Sequence, residues 1–175
     1  MMTNELKKRF ITASILLTIV LNCLFINKYT WLFLLIIVSI LCWLEFFNLT
    51  KKIKKKLFSK NILNTISIIF LLLFINSAYW INEYYGNEIV LFLLLVCIFS
   101  DIGGYVVGKS IGGKKLTKIS PNKTISGSIG SILFSLFPLG IFDILYKVTD
   151  IEFYNLSNES YLLFTCITLS IICQI

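Results

Sequence analysis

Long apolar runs alternate with short polar segments along the whole chain. A helix that crosses the hydrocarbon core of a bilayer needs about 20 mostly apolar residues. Because every face of such a helix meets lipid or another helix, none of the runs shows a strong amphipathic period. The runs predict about six membrane-spanning helices, at residues 10–26, 30–47, 62–80, 89–107, 125–146 and 161–175. We therefore predict an all-α, polytopic transmembrane helix bundle that forms one integral membrane domain over residues 1–175.

The composition excludes a water-soluble domain. Of the 175 residues, 57% are hydrophobic and only 14% are charged, whereas a soluble domain carries about 25% charged residues. A small domain buries a limited share of its chain, so this much apolar surface requires lipid. The same balance excludes a coiled coil and a disordered chain. The apolar composition also argues against nucleic acid as a partner for this chain, in spite of its net charge of +7.

The basic residues predict the orientation of the bundle. Fourteen of the sixteen lie in the N-terminal tail, the loop after the second span and the loop after the fourth span. Basic loops stay on the cytoplasmic side of a membrane. We therefore expect a multi-pass protein of the cell (inner) membrane, with the N-terminus and both lysine-rich loops in the cytoplasm.

The cysteines point to packing and not to a metal or redox centre. All five lie inside apolar stretches, no C-x-x-C pair is present, and the chain contains no histidine. Zinc sites draw mainly on cysteine and histidine at short spacings. Buried cysteine otherwise behaves as a small apolar residue.

The segment 101–127 interrupts the apolar pattern. It contains six of the nine glycines, five lysines and one acidic residue, Asp101. A carboxylate at membrane depth is costly and commonly marks a functional site. Mg²⁺ binds through one or two carboxylates together with substrate phosphates. The segment therefore predicts a site for a magnesium-bound polyphosphate, in which lysines neutralise phosphate charge and glycine N–H groups contact phosphate oxygens.

Each of these features also has a purely structural interpretation. Asp101 could pair with Lys109 inside the bundle, and the lysines could orient the chain and contact anionic lipid. Thr124 or Ser126 could cap the following helix. Two sets of small residues could instead pack helices together: Gly104, Gly108 and Gly112, and then Gly127, Gly130, Ser131 and Ser135. The residues taken singly leave both interpretations open.

Taken in order, the residues resemble the phosphatidate cytidylyltransferase family, also called CDP-diacylglycerol synthase. A Trp-x-Glu at Trp43 and Glu45 and the basic tail before two closely spaced spans are similar to the family as well. The residues that carry the central match are Asp101, Gly104-Tyr105, Gly108-Lys109, Gly112, Lys115-Leu116 and Ser120-Pro121-Asn122-Lys123-Thr124.

The resemblance implies a nucleotidyltransferase of phospholipid biosynthesis that converts CTP and phosphatidate into CDP-diacylglycerol and pyrophosphate. It implies Mg²⁺ as cofactor, CTP, phosphatidate and membrane lipid as partners, and a homodimer. The implied catalytic residues are Asp101, which also binds the metal, with Lys109 and Lys123. The implied substrate-binding residues are Gly104, Tyr105, Gly108, Gly112, Lys114, Lys115, Ser120, Pro121 and Thr124.

Two departures from the family leave other functions open. Ser126 stands where the family more often has Glu or Gln. Family members continue past a segment such as Cys173-Gln174-Ile175 into elements with further carboxylates, so the chain resembles the N-terminal two-thirds of such an enzyme, incomplete at its C-terminus. The alternatives are a CTP-dependent lipid-alcohol kinase, a non-catalytic fragment or partner, and a small transporter. The absence of an inverted repeat argues against the transporter.

Overall fold

The computed structural model describes residues 4–52, 57–116, 123–149 and 159–174. Over these residues the chain is all-helical, and its one β-bridge joins Lys115 to Thr124. The all-α prediction is thereby confirmed for the part of the chain that the structure describes. The helices are α1 (Asn4–Ile26), α2 (Lys28–Lys52), α3 (Leu57–Ile111), α4 (Ile125–Phe134), α5 (Phe137–Thr149) and α6 (Glu159–Gln174).

Three helical stretches in the described residues are long and apolar enough to cross a membrane. They are Lys28–Lys52, Lys60–Ile111 and Ile125–Leu145. Ile11–Ile26 and Tyr161–Gln174 are apolar but shorter. All five stretches fall on predicted spans, and Lys60–Ile111 contains two of them. The total of six spans and the cytoplasmic N-terminus remain predictions.

Gly86 divides the longest helix, α3. Its backbone angles, φ 84° and ψ 172°, lie in a region that is essentially restricted to glycine. At 1.5 Å per residue, a continuous helix of 55 residues would be about 80 Å long, which far exceeds the ~30 Å hydrocarbon core. The break falls between the predicted spans 62–80 and 89–107. Each segment of α3 therefore has a length that a bilayer can accommodate.

Large apolar side chains are exposed on every helix. Phe70, Ile111 and Phe164 are 68%, 73% and 67% exposed, and many Ile, Leu and Phe side chains resemble them. Soluble monomers rarely expose contiguous apolar patches larger than a few hundred Å². Such a surface is stable in lipid and not in water. The chain is therefore membrane-associated.

The first of two compact units spans Met1–Asn87. Asn27 separates α1 from α2, and its side-chain oxygen accepts the Tyr29 N–H at 3.3 Å, as an N-cap residue does. The α1–α2 contact follows from this tight connection. The buried apolar side chains of this unit are Leu24, Trp31 and Leu35.

The second unit spans Glu88–Ile175 and has its own apolar core. The core consists of buried side chains from α3, α5 and α6: Phe92, Val96, Phe142 and Cys166. Phe92 and Phe142 pack edge to face, with ring centroids 5.3 Å apart. The predicted span 125–146 is divided here into α4 and α5. Pro138, in the first turn of α5, lies where a helix tolerates the missing N–H.

Candidate active site

Glycines bring α3 and α4 into direct backbone contact within the second unit. A Cβ atom added to Gly103 would lie 2.4 Å from Phe134 Cβ, and one added to Gly130 would lie 2.5 Å from Val107 Cβ. Non-bonded carbon atoms are normally 3.5–4.0 Å apart, so only glycine fits these positions. A Cβ at Gly104 would lie 2.5 Å from Ser131 Oγ, and one at Gly127 or Gly108 would lie 2.8 Å or 3.0 Å from its nearest neighbour. The prediction that these small residues pack helices together is confirmed, except at Gly112.

Gly112 ends α3 instead of packing against α4. Its φ of 64° is left-handed, as is common for a glycine that follows a helix. No atom lies within 4 Å of the position of its Cβ, and its N–H donates to the Gly108 carbonyl at 3.1 Å. The helix likewise uses the N–H groups of Gly104 and Gly108. Of the five glycines at 103, 104, 108, 112 and 113 that were expected to offer N–H groups to phosphate, Gly104, Gly108 and Gly112 have theirs bonded within the helix or at its end.

A short antiparallel pairing returns the chain from the loop to the start of α4. Leu116 N–H donates to the Lys123 carbonyl at 2.8 Å, and Ile125 N–H donates to the Lys114 carbonyl at 3.0 Å. Thr124 then caps α4, because its Oγ1 accepts the Gly127 N–H at 3.1 Å. The cap predicted at Thr124 or Ser126 is thus confirmed at Thr124.

Residues of α3, of α6 and of the chain around the start of α4 line a cleft of about 520 Å³. Seven of these lining residues are predicted site residues: Asp101, Gly104, Tyr105, Gly108, Lys109, Lys123 and Thr124. The other described residues of the lining are Leu116, Gly127, Ser128, Ser131, Cys173 and Gln174. The cleft therefore combines groups separated by up to 73 positions in the sequence.

Three of the described site residues that were predicted lie outside this lining. Gly112, Lys114 and Lys115 are described, but they lie outside the set that lines the cleft. Lys114 and Lys115 contribute instead through the backbone pairing with the start of α4. Ser120 and Pro121 lie outside the described residues.

The described residues that line the cleft include one carboxylate and two ammonium groups. The Asp101 side chain is exposed, and in the described part of the chain no lysine forms an ion pair with it. The alternative that Asp101 pairs with Lys109 is therefore not observed. Lys109 Nζ donates instead to the Tyr105 hydroxyl at 3.3 Å and lies 5.5 Å from the centre of that ring. Lys123 Nζ donates to the Gln174 carbonyl at 2.5 Å.

Two polar residues of the cleft, Ser128 and Gln174, were not predicted from the sequence. The Ser128 hydroxyl donates to Gln174 Oε1, and Gln174 Nε2 lies 3.3 Å from Ser170 Oγ. The sequence carried a weak signal for them, since Ser170 and Gln174 are four residues apart in an otherwise apolar helix and so share a face. That spacing identifies a polar face but not its partner on α4.

The described residues of the cleft offer few ligands for a metal ion. Asp101 is the one carboxylate in the described lining, and the described residues contain no group of three or more cysteine, aspartate or glutamate side chains that could hold a metal. These residues do not fit a magnesium site in which the protein supplies all the ligands. A magnesium ion that is shared with a triphosphate does fit, because Mg²⁺ takes its remaining ligands from phosphate and water.

Curated relatives with similar sequences are phosphatidate cytidylyltransferases. The protein of Encephalitozoon cuniculi is 49% identical over 50 residues, which are 29% of this chain and 13% of the relative. That of Bacillus subtilis is 37% identical over 67 residues, 38% of this chain and 25% of the relative. That of Helicobacter pylori strain 26695 is 34% identical over 61 residues, 34% of this chain and 23% of the relative.

The matched segments thus span a quarter or less of these relatives' lengths. No solved structure matches the chain significantly. The sequence model described as the cytidylyltransferase family matches residues 52–175, which is well over half of the chain and includes all the described residues of the cleft. On this match the chain belongs to the cytidylyltransferase family.

Proposed function

We propose that this chain binds CTP and phosphatidate and transfers the cytidylyl group to the lipid phosphate. The observation that carries the proposal is the cleft of the second unit, which gathers Asp101, Lys109, Lys123 and Thr124. One carboxylate, two ammonium groups and several hydroxyls suit a triphosphate that carries a metal ion. The family match and the names of the relatives support CTP as the nucleotide and phosphatidate as the acceptor.

The proposed reaction forms one P–O bond and breaks another. An oxygen of the phosphatidate phosphate attacks the α-phosphorus of CTP, and the bond from that phosphorus to the pyrophosphate oxygen breaks. The nucleophile is already an anion, so general acid–base catalysis contributes little. The protein must hold two polyanions together and stabilise the charge on the leaving group. Lys109 and Lys123 supply positive charge for both purposes.

In this proposal Asp101 would hold a magnesium ion that accompanies the triphosphate. When bound, that ion neutralises charge on the triphosphate. Thr124 has a structural role, because its hydroxyl oxygen accepts the Gly127 N–H. The same hydroxyl lies 3.1 Å from Ser126 Oγ, so its proton can point to Ser126 or to a ligand.

We further propose six spans, with the N-terminus and the cleft facing the cytoplasm of the cell (inner) membrane. The break at Gly86 supports two crossings within α3, and the basic loops support the orientation. This arrangement gives CTP access from the cytoplasm and phosphatidate access from the bilayer. A homodimer is part of the proposal because the family resemblance implies it.

Position-labelled CTP tests the proposed function. Membranes that contain the chain are incubated with phosphatidate, Mg²⁺ and CTP labelled at the α- or the γ-phosphate. We expect lipid product labelled only from α-labelled CTP. Label from γ-labelled CTP would indicate a lipid kinase, and no lipid labelling at all would contradict the proposal. Asp101→Asn should abolish the transfer, and Asp143→Asn, a carboxylate on α5 outside the described lining, is the matched control.

A further inference from the structure

Gln174 joins α6 to the first turn of α4 through its side chain. Its Oε1 accepts the Ser128 hydroxyl. Its Nε2 donates to the Ser128 carbonyl at 3.4 Å and to Ser170 Oγ at 3.3 Å. One carboxamide thus bonds to the hydroxyl and the carbonyl of Ser128 and also to a second serine, Ser170 on α6. A link of this kind fixes the rotation of α4 relative to α6.

The other end of this link is buried. Ser170 is 0% exposed and Ser100 is 1% exposed, and their hydroxyls are 2.9 Å apart between α6 and α3. Buried hydroxyls keep their partners, since an unpaired one costs free energy. The chain Ser100–Ser170–Gln174–Ser128 is therefore a continuous polar connection from the interior of the unit to the cleft.

The first turn of α4 carries groups that face the cleft. Ser128 lies one turn after the Thr124 cap, and both residues line the cleft together with Lys123. The backbone carbonyl of Gln174 also accepts a hydrogen bond from Lys123 Nζ at 2.5 Å. A displacement of Gln174 would therefore move a hydroxyl, the helix cap and an ammonium group at once.

We infer that Gln174 is a positioning residue for the nucleotide, an inference that rests on the proposed function. Its carboxamide holds the first turn of α4, and through it Lys123, in the geometry that binds the triphosphate. Gln174 acts through Ser128, because its own amide groups are already bonded to protein atoms. The two side chains should therefore behave as one element and not as two independent contacts.

Equilibrium binding of labelled CTP with Mg²⁺ to the full chain in lipid nanodiscs tests the inference. Gln174→Ala and Ser128→Ala should each raise the dissociation constant about fivefold, the effect of losing one hydrogen bond. The double variant should bind CTP no more weakly than Gln174→Ala alone, because the hydrogen bond that Ser128→Ala removes is one of those that Gln174→Ala removes. Thr168→Ala is the matched control on α6, since its hydroxyl bonds only within its own helix among the described residues; it should leave the constant unchanged.

A cysteine cross-link separates positioning from general loss of structure. Cys97 Sγ on α3 and Cys173 Sγ on α6 lie 3.6 Å apart. Diamide, an azo oxidant, takes two electrons and two protons from such a pair to form a disulfide. The number of alkylated cysteines then falls by two. In Gln174→Ala this cross-link should form at the wild-type rate, because the Ser100–Ser170 contact remains.

Each other result has a definite meaning. Wild-type affinity in Gln174→Ala overturns the inference alone. Multiplicative effects in the double variant, about 25-fold, overturn it as well, because the residues would then act separately. Weaker binding with slow cross-linking shows a merely structural role and overturns it. Absence of CTP binding by the wild-type chain overturns the proposed function and this inference with it.

Discussion

The two compact units hold apolar helices together by different means. In Met1–Asn87 the helices meet through side chains, such as the buried Thr50, whose hydroxyl contacts Asn64 Oδ1 at 3.0 Å. That unit contains a single glycine, Gly86, at the break in α3. The second unit contains the other eight glycines, and five of them bring the backbones of α3 and α4 together.

The difference shows what small residues contribute in a membrane protein. Lipid is as apolar as leucine, so the burial of apolar side chains provides little driving force for helix association in a membrane. Close packing of helix backbones through small residues provides van der Waals contact instead. Gly104, Gly108 and Gly127 also line the cleft, beside the hydroxyl groups of Thr124 and Ser131. The candidate site therefore lies in the glycine-rich unit, where packing and polar groups coincide.

The largest effect is expected where the α3–α4 contact is tightest. Gly103→Leu should lower the free energy of unfolding by about 3 kcal/mol or more, because the added side chain overlaps Phe134 and the Gly130 carbonyl. Gly140→Leu is the matched control, since no atom lies within 4 Å of its Cβ position. Denaturant unfolding in micelles measures both variants. Equal losses of stability in Gly103→Leu and Gly140→Leu would contradict the claim that glycine is required at the α3–α4 contact.

A smaller effect is expected at the glycine of the first unit. Gly86→Ala should cost about 1–3 kcal/mol through backbone strain and not through overlap, because φ 84° is unfavourable for alanine. The same unfolding titration measures it. A gain in stability, as for a glycine replaced inside a regular helix, would show that the helix is continuous at this position.

The buried serine pair should have a modest effect. Ser170→Ala should cost about 1 kcal/mol, because Ser100 loses its partner in the interior. Thr168→Ala removes a hydroxyl that bonds within α6 and should have almost no effect. If the two substitutions are indistinguishable in thermal unfolding, the polar connection between α3 and α6 contributes nothing to stability.

The smallest effect is expected at the surface of the first unit. Lys28 and Glu83 form an ion pair at 3.0 Å, with side chains 42% and 38% exposed. Exposed pairs contribute little because water and salt screen them. Lys28→Met should leave the unfolding midpoint unchanged at both low and high salt. A marked fall of the unfolding midpoint at low salt alone would show that this ion pair stabilises the contact between α2 and α3.

The sequence predicted most reliably those features that depend on the residues of a single helix or a single motif. Apolar runs located the helices, and the four-residue spacing of Gly104 and Gly108 predicted their packing. Seven of the site residues that the family resemblance implied also line the cleft. The helices and the glycine packing could be predicted because apolar runs and regular spacing concern residues near each other along one helix.

Contacts across the fold could not be predicted in the same way. The partner of Gln174 is Ser128, 46 positions earlier, and no spacing rule connects them. Lys114 and Lys115 were implied as substrate-binding residues, yet the antiparallel pairing with the start of α4 uses their backbone. The division of α3 depends on the left-handed φ of one residue, whereas the sequence showed only a short polar interval at 81–88.

The central claim is that Asp101 and the lysines of the cleft bind a magnesium-bound triphosphate. Equilibrium binding of α-labelled CTP, with Mg²⁺ and with EDTA, tests it in the wild-type chain, Asp101→Asn and Asp143→Asn. With Mg²⁺, Asp101→Asn should bind at least about tenfold more weakly, a loss that even outer partners of a metal site produce, and Asp143→Asn should match the wild type. In EDTA Asp101→Asn should bind no more weakly than the wild type, because no metal remains for the carboxylate to hold. Equal affinity of wild type and Asp101→Asn in Mg²⁺ would contradict the account.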